Sequence, residues 1–178
     1  MRFDVAGPFP LTRHGKKRLI TEQTRKDLKP DLEAHESGLS AACGCYVFAV
    51  QAGLGFTPFY VGKSCKASVW YESLNPSNRG KYNEALDDYE SGTPVLFLVP
   101  MRTKRGKFRK PKDAAGTLAS VDFLERWLIA EALKKNPRLI NDKHTRFLRD
   151  LHVVGIFNAA HGEATKSSMD LSRAIWKS

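Results

Sequence analysis

The chain has 178 residues, enough for one domain with a sizeable core and short for two. Its 42% hydrophobic content, with 10 Phe, 5 Tyr and 3 Trp, excludes global disorder. A net charge of +10 draws polyanions and makes nucleic acid the first partner to expect; an anionic membrane surface competes, but no long apolar segment or basic amphipathic stretch supports it.

The N-terminus carries no apolar run of signal-peptide type. Of three cysteines, two sit in Cys43-Gly44-Cys45, which fits a reducing, cytoplasmic setting better than a disulfide framework. Cys65 stands apart with no neighbouring histidine, so buried thiols are a better reading than zinc. Residues 1–42 read as a polar arm or an added layer. The basic cluster Arg13, His14, Lys16, Lys17 and Arg18 there is, as a rule, a solvated face. A short helix is predicted from Thr21 toward Glu33, disturbed at Pro30.

Tyr46-Val47-Phe48-Ala49-Val50 is a β-branched and aromatic run of strand length. Gly53-Leu54-Gly55 turns the chain, and Pro58-Phe59-Tyr60-Val61 returns it, which predicts an antiparallel hairpin. Asn75-Pro76 opens a helix expected to run to about Glu90 and to stop before Gly92. Pro94 to Val99 is a continuous apolar run, read as a third strand buried on both faces. Residues 101–112 hold seven basic side chains and no acid: Arg102, Lys104, Arg105, Lys107, Arg109, Lys110 and Lys112. Ser120 is the expected cap of the next helix, with Asp122 favoured in its first turn and Asn136-Pro137 as its stop. A last helix is expected from Ser167 to Trp176, with Ser167 and Asp170 in a capping pattern.

On the helix opened at Ser120, Val121, Leu128 and Ile129 share a face with Glu125. A carboxylate in such a row is protonated, paired or coordinating a cation; its bland alternative is a glutamate at the core's edge reaching water or a lysine. Gly44-Cys45-Tyr46 and, 14 positions after that tyrosine, Tyr60-Val61-Gly62 put one phenol on each hairpin strand. Isolated strand tyrosines are mostly core aromatics with bonded hydroxyls. Both tripeptides in this order, followed by Lys63, the apolar strand, the helix with Glu125 and then Asn141, resemble the GIY-YIG nuclease family across residues 43–142.

That resemblance implies a small mostly antiparallel three-stranded α/β sheet flanked by helices, with additions at residues 1–42 and 143–178. It implies metal-dependent hydrolysis of phosphodiester bonds in DNA. Glu125 is then the ligand of one magnesium or manganese ion, and Tyr46 the general base or its relay. Tyr60 positions water or a phosphate oxygen. Lys63 or the metal lowers the phenol's pKa, ordinarily ~10; the alternative for Lys63 is to bind phosphate. Asn141 matches the family asparagine that braces the site. The family arginine on the following helix is missing, leaving Lys66, Arg79 and Lys81 as stand-ins; a lysine cannot reproduce its bidentate fork. Arg102, Lys104, Arg105 and Lys107 are expected to grip the phosphate backbone.

Gly62-Lys63-Ser64 also looks like the end of a phosphate-binding loop, but Thr57 stands where that loop needs glycine, and a strand cannot cradle a phosphate on its amides. Two alternatives to the nuclease remain. One is a nucleic-acid-binding module that has lost efficient cleavage; the other is a protein-interaction domain for an acidic partner.

Overall fold

A computed structural model describes residues 2–87, 91–111, 118–141, 145–157 and 163–176. The chain divides into two units, residues 1–141 and 142–178.

The centre of the first unit is the expected hairpin. Its strands β3 (Gly44–Ala52) and β4 (Gly55–Ser64) pair antiparallel, with Tyr46 opposite Gly62 and Cys45 opposite Lys63. The apolar run after Gly92 forms β5 (Thr93–Arg102), which pairs with the other side of β3. Three strands were expected, yet the sheet has five. The extra two come from the segment read as an arm: β1 (Arg2–Phe3) and β2 (Ala6–Pro10) both pair with β5. The two prolines of β2, Pro8 and Pro10, are tolerated because an edge strand has donors to spare.

Strand alternation sorts the core into two layers. Tyr46, Phe48, Val50, Leu96 and Leu98 point to one face, covered by three helices. The first, α1 (Glu22–His35), buries Leu28 and Leu32; Thr21 and Thr24 cap it reciprocally, and it continues through Pro30 rather than ending near Glu33. An unforeseen short helix, α2 (Val69–Ser73), starts where the Ser68 hydroxyl accepts the Tyr71 N–H. The third is α3 (Pro76–Asp87); its predicted end at Glu90 lies outside the described residues. Cys45, Cys65, Val99 and Met101 point to the other face, against Val121 of α4 (Ala119–Lys135).

Leu118, not Ser120, holds the extended backbone before α4, so Ser120 lies inside the helix and no side chain caps it. Beyond α4, the Ile140 N–H donates to Phe59 and the Asn136 amide donates to Pro58, which covers part of the free edge of β4. The second unit contains α5 (Thr145–Asp150) and α6 (Lys166–Ile175). Thr165, two residues before the expected Ser167, caps α6 by accepting the Ser168 N–H at 3.2 Å. Among the described residues no helix is long and apolar enough to cross a membrane.

Candidate active site

Both tripeptide glycines have a packing reason. At Gly44 the backbone is left-handed (φ 154°), and a Cβ would meet Pro100 Cα at 2.9 Å. At Gly62 a Cβ would enter the ring of Tyr46, with Cε2 at 2.6 Å. The Tyr46 ring therefore lies across the rung it shares with Gly62.

Tyr46 is 1% exposed, and its hydroxyl accepts a hydrogen bond from the Asn78 amide at 2.9 Å. Burial pushes its pKa well above 10; the Tyr60 and Glu72 charges add to this, the Asn78 bond opposes it, and Glu125 contributes on the raising side. The resemblance asks for a lowered phenol at this position, and burial acts in the opposite direction. Tyr60, half-buried, lies 6.3 Å from the Tyr46 ring and 5.9 Å from that of Tyr82, measured between centroids. The Lys81 ammonium stands 5.1 Å from the centroid of the Tyr60 ring.

On the opposite face, one rung further along, Lys63 reaches α4. Its ammonium lies 2.6 Å from Asp122 Oδ1 and 2.7 Å from Glu125 Oε2. Burial alone would lower the Lys63 pKa; hydrogen bonds and charge from Asp122 and Glu125 outweigh this and raise it. Glu125, with 14% of its side chain exposed, is thus a paired carboxylate, and Asp122 joins it at i−3. Phenols and carboxylates consequently do not share one pocket. Tyr46 and Lys63 leave opposite faces of the hairpin on adjacent rungs, and the carboxylates of α4 meet Lys63 on the side away from Tyr46.

The arginine stand-ins are dispersed. The Arg79 guanidinium binds Glu22, shared with Arg25 of α1, and donates to the Leu74 carbonyl at 3.2 Å. Lys66 is exposed. Asn141, expected as a substrate contact, is buried; its oxygen accepts the Val61 N–H at 2.9 Å and its amide donates to the Val61 carbonyl at 2.6 Å. It braces β4 from the free edge. Arg102 is engaged by Asp4 and Glu36, whereas Lys104, Arg105 and Lys107 sit on the hairpin that follows β5. Lys112 lies outside the described residues.

Among the described residues no group of three or more His, Cys, Asp or Glu is arranged to hold a metal. The oxygen pair Asp122–Glu125 still suits a magnesium-type ion, which keeps most of its water and takes only one or two carboxylates. The internal ammonium already holds a cation's place between them. Asp122 had been assigned only to the helix dipole; its i−3 spacing from Glu125 was the signal. Asn78 and Tyr82, at i and i+4 on α3, complete the phenol cluster and had no motif to mark them. Comparison with protein-family models, curated proteins and solved structures finds no match to this chain.

Proposed function

We propose that the chain is a nucleic-acid phosphodiester hydrolase of GIY-YIG type, acting on DNA with one magnesium or manganese ion. The observation that carries this reading is the Lys63–Asp122–Glu125 cluster. It joins the residue after the second tripeptide to the acid that the resemblance singles out on a helix some 60 positions away, one rung from the tyrosine–glycine packing. Glu125 and Asp122 would hold the ion. When bound, that ion supplies charge neutralisation on the departing oxygen.

The chain's own groups do the rest. The covering segment binds β4 at Pro58, Phe59 and Val61. Tyr60, not Tyr46, is the phenol that orients the attacking water. Lys63 releases its carboxylates to take a phosphate oxygen. Tyr46, held by Asn78 and resting on Gly62, sets the hairpin geometry.

A second reading, a binding module with weak cleavage, is favoured by the Arg79–Glu22 pair, which turns the only arginine stand-in toward α1. Incubation of plasmid with the protein and Mg2+ or Mn2+, beside a Glu125→Ala control, separates the two. Nicking by wild type alone supports the hydrolase. Intact plasmid that both proteins shift equally on a gel supports the module, and plasmid neither cut nor shifted at low salt removes nucleic acid as the partner.

A further inference from the structure

The hairpin beyond β5 is built around one arginine. Thr103 N–H donates to the Lys107 carbonyl at 2.8 Å and Gly106 N–H to the Thr103 carbonyl at 3.0 Å, which closes the turn. Below it, the Arg109 N–H returns to Met101 at 2.8 Å. Arg102 donates to Asp4 at 2.5 Å, to both Glu36 oxygens at 2.7 and 2.6 Å, and to the Gly106 carbonyl at 2.9 Å. Its guanidinium also lies 4.0 Å from the centroid of the Phe108 ring. Two carboxylates neutralise this cation, and four of its five N–H donors are taken. Arg102 is a strut that fixes the hairpin to β1 and to the end of α1.

Between that hairpin and residues 36–38 lies a cleft of about 990 Å³. Its walls carry Lys104, Arg105, Lys107 and Lys110, and none of the four has a carboxylate within ion-pair distance among the described residues. The acid of the cleft, Glu36, is held by Arg102. A backbone turn held by Arg102 thus displays, among the described residues, four cations with no acidic partner around a concavity.

We infer that this cleft is a metal-independent anchoring site for one phosphodiester strand, gripped by Lys104, Arg105, Lys107 and Lys110 while Arg102 holds the hairpin and touches no phosphate. The occupant is a polyanion, because four cations line the cleft and its one acid, Glu36, is held by Arg102. The inference rests on the nucleic-acid reading above but not on cleavage. Duplex and single strand present the same phosphates, and their salt dependences tell them apart.

The test is fluorescence anisotropy in EDTA with a labelled duplex and a labelled single strand of equal length, titrated at several salt concentrations. The variant carries Lys104→Ala, Arg105→Ala, Lys107→Ala and Lys110→Ala together. If four phosphate contacts are lost, the slope of log K against log[salt] becomes shallower by about 3.6 on duplex or about 2.8 on single strand. Arg102→Met should lower the melting temperature while leaving that slope within about one contact, roughly 0.9, of wild type. A quadruple variant that is folded by circular dichroism yet binds with wild-type affinity and slope overturns the proposal. So does an Arg102→Met slope loss matching that of the quadruple variant. Because EDTA suppresses metal-dependent cutting, failure here is separable from failure of the hydrolase reading.

Discussion

Gly62→Ala isolates the contact on which the signature geometry depends. The added methyl would enter the Tyr46 ring, with Cε2 at 2.6 Å and Cζ and Oη closer still. The ring has little room to yield: it is 1% exposed, its hydroxyl is tied to Asn78, and Asn141 clamps Val61 beside Gly62. Overpacking of this kind costs roughly 1–3 kcal/mol, and a ring fixed on both sides belongs at the upper end. Gly62 is not left-handed, so no backbone strain adds to this, while loss of unfolded-state freedom returns about 0.4–1 kcal/mol. The net expectation is a loss of about 2 kcal/mol, a fall in melting temperature of roughly 6 °C for a chain of this size. Thermal unfolding followed by circular dichroism reads it. In a Tyr46→Ala background the same substitution should cost nothing, so the double-mutant cycle should show coupling of about 2 kcal/mol. A Gly62→Ala protein as stable as wild type, or an equal loss in both backgrounds, would refute the packing reason given for this glycine.

Asn141→Ala strips Val61 of both partners at a buried strand edge, and a loss of about 2–4 kcal/mol in chemical denaturation is expected. Arg25 and then Arg79 hold the Glu22 carboxyl down to about 2 from its ordinary 4.5. A depressed carboxylate contributes stability above its unfolded pKa and loses it as pH falls through the folded one. The advantage of wild type over Glu22→Gln should therefore disappear between about pH 4.5 and 2; with the side chain 43% exposed it should not exceed the ~0.2–1 kcal/mol of a surface pair, and an advantage that persists at pH 2 would argue against the pairing. If Tyr60 rather than Tyr46 faces the attacking water, Tyr60→Phe should reduce cleavage at least about tenfold more than Tyr46→Phe, within the range typical of a positioned proton-transfer group. The reverse order in single-turnover rates would restore Tyr46 as the base.

What the sequence revealed, and what it hid, follows from the range of each interaction. The hairpin and β5 were readable because β-branched and aromatic runs bounded by glycines leave few other options. The strands β1 and β2 were not: both are short, β2 holds two prolines, and each forms by pairing with β5. The start of α4 was misplaced because serine is a good cap wherever the backbone lets it be one, and here Leu118 holds the extended position. Glu125 was legible from its apolar row, but its partner on β4 required the sheet. Tyr46 shows the limit most clearly, since a strand tyrosine reads the same whether its hydroxyl meets water or is sealed by Asn78 from another helix. Arg79 likewise read as an available cation until α1 brought Glu22 to it from 57 residues away.

The central claim is that Asp122 and Glu125 serve chemistry on a phosphodiester. Single-turnover cleavage of labelled duplex in Mn2+ by wild type and Glu125→Gln, with the affinity of each for the same duplex measured in EDTA, tests it most directly. A rate loss of about 100-fold or more with affinity unchanged within about twofold is expected, the pattern of a group that acts on the reaction and not on docking. Equal cleavage rates in the two proteins, or a parallel loss of affinity and rate, would contradict it.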